Sequence, residues 1–286
     1  MASLAAGFPE VCASAAVVAE APEIGALTGA VLLLVALVAV PTALVAAALA
    51  IGDRSFRGQP LIGWLRLVAI PYLRYFQRLR VEGRHLVPAR VGQDGLIIVA
   101  THGAGLDPVS LTIEVPHPIR WMMSAEMMLP ALGWLWRRMR IIPVAFDARD
   151  AAALKAAIAH VQSGGVLGIF PEGGIERPPR MLRPFSGGLR LILSRTKAPV
   201  LVAVIDPGEV ADSAYAALFK PTHPTIRFLA LVEPGPQGHG REAAESIFAL
   251  LRTETGWPVN NDPMPPANPE TVARNLAAYA ARGDAE

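Results

Sequence analysis

From Ile24 to Gly52 the chain contains no Asp, Glu, Lys, Arg or His. About twenty apolar residues are enough for a helix to cross a bilayer, so this run predicts a membrane-spanning helix, kinked at Pro41. The alternative is a buried helical hairpin broken at Pro41. A cleaved leader fits poorly, because no Lys or Arg precedes Arg54 and the apolar stretch exceeds a typical signal core. Glu10, Glu20 and Glu23 stand on one side of the run, and Arg54, Arg57 and Arg66 on the other. The positive-inside rule then predicts a single-pass anchor in the cell membrane, with everything after Arg54 in the cytoplasm. Composition agrees with contact to lipid, since 52% of residues are hydrophobic and only 17% are charged.

The next stretch, Leu61 to Leu79, mixes Trp64, Tyr72, Tyr75 and Phe76 with Arg66, Arg74 and Arg78. Rings among arginines suit a membrane interface, while an ordinary helix packed on the domain is the rival reading. Pro71 should break or kink it.

Beyond Glu82, short apolar runs alternate with helical stretches. Strands are expected at 95–100, 119–124, 141–145, 166–170, 200–205 and 225–231. Helices are expected at 107–114, 126–139, 150–162 and 187–195, with two more at 242–253 and 269–282. This rhythm predicts an α/β fold, a mostly parallel central sheet flanked by helices, with the N-terminal transmembrane helix attached. The organisation read from the sequence is an N-terminal segment 1–23, a transmembrane helix 24–52, an interface segment 53–82, a catalytic domain 83–235 and a C-terminal helical segment 236–286. Ser163-Gly164-Gly165 follows a helix and precedes a strand, so it reads as a helix stop and not as a phosphate loop.

Several function classes drop out. A net charge of +2 and the lack of a basic stripe with interleaved aromatics argue against nucleic acid. The only cysteine, Cys12, excludes a disulfide framework and a cysteine-based zinc site. His85, His117, His160, His223 and His239 show no ligand spacing, so no metal is expected. No Walker lysine motif, dinucleotide fingerprint or Gly-x-Ser-x-Gly elbow is present. Nothing in the sequence bears on oligomeric state.

Chemistry concentrates in two blocks. The first is Thr101-His102-Gly103-Ala104-Gly105-Leu106-Asp107-Pro108, directly after the apolar run Leu96 to Ala100. Asp107-Pro108 reads as an N-cap followed by proline at the first helical position, so a strand-to-helix corner presents the imidazole. A carboxylate one loop away can fix the ring's tautomer, which makes a general-base pair without a protein nucleophile. The plainer alternative makes Asp107 a helix cap and His102 a packed residue at a strand end. The second block, about seventy residues later, runs from Val166 to Phe170 into Pro171-Glu172-Gly173-Gly174-Ile175-Glu176-Arg177. Ligands of an open parallel sheet collect at the carboxyl ends of its strands, so His102 and Glu172 can share one cleft.

Together these residues resemble the glycerolipid acyltransferase family, whose best-known members are the 1-acylglycerol-3-phosphate acyltransferases. Its first block, Asn-His-x-x-x-x-Asp, is matched by His102 and Asp107, with Thr101 in place of asparagine. Its Phe-Pro-Glu-Gly-Thr-Arg block is matched by Phe170, Pro171, Glu172 and Gly173. Leu182 to Gly188 and Ala198 to Val204 resemble the segments that follow. The resemblance covers roughly 61–231. It implies transfer of an acyl chain from acyl-CoA or acyl-carrier protein to a lysolipid hydroxyl, with lysophosphatidate the leading acceptor and no cofactor beyond the donor. By that likeness His102 is the base, Asp107 supports the imidazolium, and Glu172, Gly173 and Gly174 form the acceptor-binding corner. Two departures concern the acceptor's phosphate: Ile175 stands where arginine is customary, and a second customary arginine falls on Phe146. Arg140, at a position usually held by glycine, and Arg177, Arg180 or Arg183 are candidate replacements. Another lysolipid, a lipoamino acid or a glycolipid is the alternative acceptor, and a non-catalytic lipid-binding protein on the same fold is the alternative class.

Overall fold

The computed structural model of the chain describes residues 21–56, 59–145, 150–209, 218–233 and 240–281. The chain divides into two compact units, Met1–Ala50 and Ile51–Glu286. In the first, the described residues belong to helix α1, Ala21–Ser55, which runs through Pro41 without interruption. The hairpin broken at Pro41 is therefore not what forms. Leu32, Leu37 and Leu44 are more than 60% exposed, and Leu37–Arg54 is long and apolar enough to cross a membrane.

Among the described residues, the second unit is built on seven strands: β1 (Arg80–Glu82), β2 (Leu96–Ala100), β3 (Ile119–Ser124), β4 (Ile142–Val144), β5 (Val166–Ile169), β6 (Val200–Asp206) and β7 (Thr225–Val232). They are ordered β1-β7-β6-β2-β5-β3-β4. All pairs are parallel except β6 with β7, whose register shifts between Val202 and Ala203. The fold is thus the mostly parallel α/β sheet expected from the sequence. β1 escapes sequence reading because it is three residues long, with charged Arg80 and Glu82 around Val81.

Every side chain of β2 is buried, so this central strand must be covered on both faces. Alternation sends Ile97 and Val99 into one cluster with Leu167, Val202 and Leu189. Leu96, Ile98 and Ala100 enter another with Leu111, Trp121 and Leu201. Full burial of a Leu or Ile contributes about 1.5–3 kcal/mol, so β2 is the part of the sheet least able to shift.

The helices of this unit are α2 (Pro60–Pro71), α3 (Asp107–Glu114), α4 (Gly133–Arg138), α5 (Ala151–Gln162), α6 (Gly187–Arg195), α7 (Gly240–Thr255) and α8 (Pro269–Ala281). At Pro71 the α-helix gives way to a π-turn over Tyr72–Phe76. The helix expected over 126–139 does not form as one piece. Two 3-10 turns, Ala125–Met127 and Pro130–Leu132, precede the short α4, as befits a proline that lacks the N–H a helix interior requires. Gly164, at φ 81°, closes α5 as the expected helix stop.

Candidate active site

β2 ends at Ala100, and the next residue locks the strand end in place. Thr101 Oγ1 accepts from the Ile205 N–H at 2.8 Å and donates to the Ile205 carbonyl at 3.3 Å. The hydroxyl at this position thus ties β2 to β6, and His102 emerges at the carboxyl edge of the sheet.

Asp107 orders the loop that follows. It is the first residue of α3 rather than its N-cap, a position held by Leu106. The expected cap geometry fails because the carboxylate turns back into the loop. Its Oδ2 accepts from Gly103 N–H and Ala104 N–H, both at 2.8 Å, and faces His102 Nδ1 at 2.9 Å. A carboxylate only accepts, so the ring proton is placed on Nδ1 and Nε2 keeps its lone pair. Nε2 makes no hydrogen bond among the described residues, and the His102 side chain is 15% exposed against 2% for Asp107.

The second block is tied to the first by its backbone. The His102 N–H donates to Glu172 Oε2 at 3.3 Å, and the His102 carbonyl accepts from Glu176 N–H at 3.0 Å. Arg177 Nη1 donates to the Gly103 carbonyl at 2.8 Å and to its neighbour Glu176 at 3.0 Å. Gly173 makes the turn, with φ 85° and its N–H on the Phe170 carbonyl at 3.1 Å; such a φ favours glycine. Gly174 follows, against Met264.

Beneath the imidazole lies an aromatic stack absent from the sequence reading. The His102 ring lies 4.1 Å from Phe170, and Phe170 lies 5.1 Å from Trp121, all near parallel. Trp121 fits only because residue 168 is glycine: a Cβ there would meet the indole at 2.3 Å. A glycine in the middle of β5 was the available signal, since such residues mark close approach.

Glu172 is 4% exposed, and its Oε1 has no hydrogen-bond partner among the described residues. Burial raises its pKa to about 8, partly offset by the His102 N–H and reinforced by Glu176 and Asp107. At neutral pH it is a neutral acid with an O–H to donate. Glu176, by contrast, is held by Arg183 and by Asn260 Nδ2 at 3.0 Å.

The candidate phosphate arginines separate. Arg183 is committed to Glu176 and the Asp262 carbonyl, and Arg180 grips both oxygens of Asp206 at 3.0 and 3.2 Å. Arg177 alone touches the His102 loop. Arg140 is not brought to the site. Met122 pairs with Ile142, Arg120 with Leu167, and Ile97 with Leu167, which puts Arg140 level with Ile97. It lies five residues short of His102, or roughly 16 Å along the strands. Its φ of 52° explains why glycine suits the position. Ile175 is half-buried beside Glu176, and Phe146 lies outside the described residues.

Comparison with known proteins bears on the same segment. The family model described as Acyltransferase matches residues 78–206, from the residues before β1 to the end of β6. No curated protein matches the chain in sequence. Among solved structures, it is similar to the crystal structure of the 1-acyl-sn-glycerophosphate acyltransferase PlsC from Thermotoga maritima. The identity is 19% and the TM-score 0.50, over 67% of this chain and 80% of that one. At that identity the likeness speaks for the fold; the family rests on the matched segment, which holds both blocks. Residues 78–206 are thus similar to the acyltransferase family, and that match, over the segment that carries His102, Asp107 and Glu172, supports an acyltransferase.

Proposed function

We propose that the chain is a membrane-anchored O-acyltransferase that moves a fatty acyl group from acyl-CoA or acyl-carrier protein to a lysophospholipid hydroxyl, with lysophosphatidate as acceptor. The observation that carries it is the His102 Nδ1 to Asp107 Oδ2 pair at 2.9 Å, with Nε2 open at the edge where the second block converges. His102 Nε2 takes the acceptor's hydroxyl proton as its oxygen attacks the thioester carbonyl. The new O–C bond forms, the C–S bond breaks, and the thiolate leaves with the proton returned from the imidazolium. A thioester is already activated, so a positioned base suffices without a covalent enzyme intermediate. Asp107 holds the tautomer and stabilises the imidazolium, and the neutral Glu172 Oε1–H donates to an oxygen of the bound acceptor. Arg177, anchored by Nη1 on Gly103, turns its remaining N–H groups to the acceptor's phosphate.

Helix α1 supplies the anchor, and the arginines after it favour a cytoplasmic catalytic unit. The similarity to PlsC supports the choice of acceptor, because its printed activity is on 1-acyl-sn-glycerophosphate. The test is an acceptor screen with a radiolabelled acyl donor and the full-length protein in detergent, read by the lipid product. Labelled phosphatidate formed from lysophosphatidate, in preference to neutral lysolipids, is the expected result. Product only with a lipoamino acid or glycolipid acceptor refutes the phosphate reading, and no transfer to any acceptor refutes the enzyme.

A further inference from the structure

The carboxyl edge of the sheet carries a second concave site, on the far side of β6 from His102. β7 and β1 run opposite to β6, so the residues that precede them reach the same edge as the segment that leaves β6. There Tyr75, Phe76, Arg78, Glu209, Lys220 and His223 line a cavity of about 470 Å³, within the range of small-ligand sites.

Its walls are fixed from behind. Gln77 is fully buried; its Nε2 donates to Tyr72 Oη at 2.7 Å and to the Lys220 carbonyl at 3.1 Å. Its Oε1 accepts from Thr222 N–H at 2.9 Å and Thr222 Oγ1 at 3.0 Å. Tyr72 Oη in turn donates to the Leu218 carbonyl at 2.7 Å. One side chain thus clamps the π-turn to the segment before β7. Two lining residues, Arg78 at φ 54° and His223 at φ 53°, adopt the left-handed conformation that disfavours non-glycine residues. Backbone strain of this kind persists where the surrounding structure over-determines it, and it clusters at binding sites.

The charge is unbalanced. Lys220 and His223 share Glu209 at the loose distances of 3.7 and 3.9 Å, and Arg78 has no ion-pair partner among the described residues. Large apolar groups stand exposed here: Tyr75, in the lining, is 82% exposed, and Phe219 and Leu218, which directly precede the lining Lys220 in the chain, are 83% and 40% exposed. A free inorganic anion would leave those rings in water. A phospholipid satisfies both parts, its phosphodiester among the cations and its glycerol and chains along the rings.

We propose that this cavity binds the anionic headgroup of a membrane glycerophospholipid, at a site separate from the His102 cleft. The proposal does not depend on the acceptor or on the role of His102, because binding is read without turnover.

Calorimetric titration of the full-length protein in a non-ionic detergent tests it, with dihexanoylphosphatidylglycerol as probe and dihexanoylphosphatidylcholine and inorganic phosphate as controls. Arg78→Gly removes the cation while keeping a residue suited to the left-handed backbone, and it is combined with Lys220→Ala. The wild type should bind the phosphatidylglycerol saturably and at least tenfold more tightly than either control. The double variant should lose at least tenfold in affinity with Tm unchanged. Equal binding of phosphatidylcholine overturns the anionic headgroup, and equal binding of inorganic phosphate overturns the lipid. Unchanged affinity in the folded double variant overturns the site. If Tm falls, Lys220→Gln alone is titrated under the same criteria.

Discussion

The two edges of the parallel sheet each place a histidine among charged residues, and only one is arranged for chemistry. At the amino edge, His160 Nε2 lies 3.2 Å from the Val166 carbonyl, and Gly165 leaves no space beside its ring. Burial lowers its pKa, and Arg120 and Arg140 lower it further. Arg120 and Arg140 are joined there by a 2.6 Å bond from Nε to a carbonyl, and Tyr279 closes the edge onto the Ile141 carbonyl at 3.1 Å. At the carboxyl edge, His102 has a buried carboxylate on one nitrogen and, among the described residues, no hydrogen-bond partner on the other. The contrast separates the proposed base from a packed histidine by what the second nitrogen is free to do, rather than by how many charges surround it.

That contrast breaks most readily at Asp107. Asp107→Asn keeps an oxygen for the Gly103 and Ala104 N–H groups and turns an amide N–H to His102 Nδ1, which then accepts it, so the ring proton moves to Nε2 and that nitrogen no longer serves as base. We expect kcat to fall by roughly 10² to 10⁴, the range of general acid–base catalysis, with the fold retained by circular dichroism. Activity within twofold of wild type would reduce Asp107 to a loop-ordering residue.

Glu172 gives the next largest effect, on stability against pH. Its folded pKa, about 8, lies above its ordinary 4.5, so between these values the native state holds a proton that the unfolded chain has lost. The contribution is complete below pH 4.5 and disappears as pH rises towards 8, a decline of up to roughly 5 kcal/mol. Glu172→Gln keeps the shape and the hydrogen-bond donor but cannot titrate, so its Tm should fall less over this interval. Parallel Tm profiles for the two proteins would mean that Glu172 is ionised in the fold.

The arginines give the smallest effects and the sharpest contrast between the edges. Arg177→Ala should raise the KM for lysophosphatidate about tenfold, the order of one charge-assisted hydrogen bond. Arg140→Ala, made at the other edge, should leave kcat and KM within about twofold. Equal effects in initial-rate assays would erase the distinction between them.

Much of this was legible in the sequence, and the gaps have physical reasons. The fully apolar Leu96 to Ala100 announced a buried central strand, and the strand-end positions of both blocks announced that His102 and Glu172 would meet. Arg140 misled because a residue near a motif in sequence can precede its strand, and a parallel sheet then sends it to the opposite edge. Arg183 looked available because sequence does not reveal that Glu176 is buried beside it. The platform of Trp121 and Phe170 under His102 depends on tertiary stacking over Gly168; a glycine inside a strand marks a close approach without telling which residue makes it. The interrupted helix before β4, by contrast, was signalled by Pro130.

The central claim, that the carboxyl edge alone performs acyl transfer through His102, is tested most directly by one paired measurement. Transfer of a labelled acyl group from acyl-CoA to the acceptor found in the screen is followed for the wild type, His102→Ala and His160→Ala. We expect His102→Ala to lose at least about 10³-fold in kcat/KM with Tm unchanged. His160→Ala should keep kcat/KM within about twofold while losing about 1–3 kcal/mol of stability. Turnover that survives in His102→Ala, or that vanishes in a folded His160→Ala, would contradict the account.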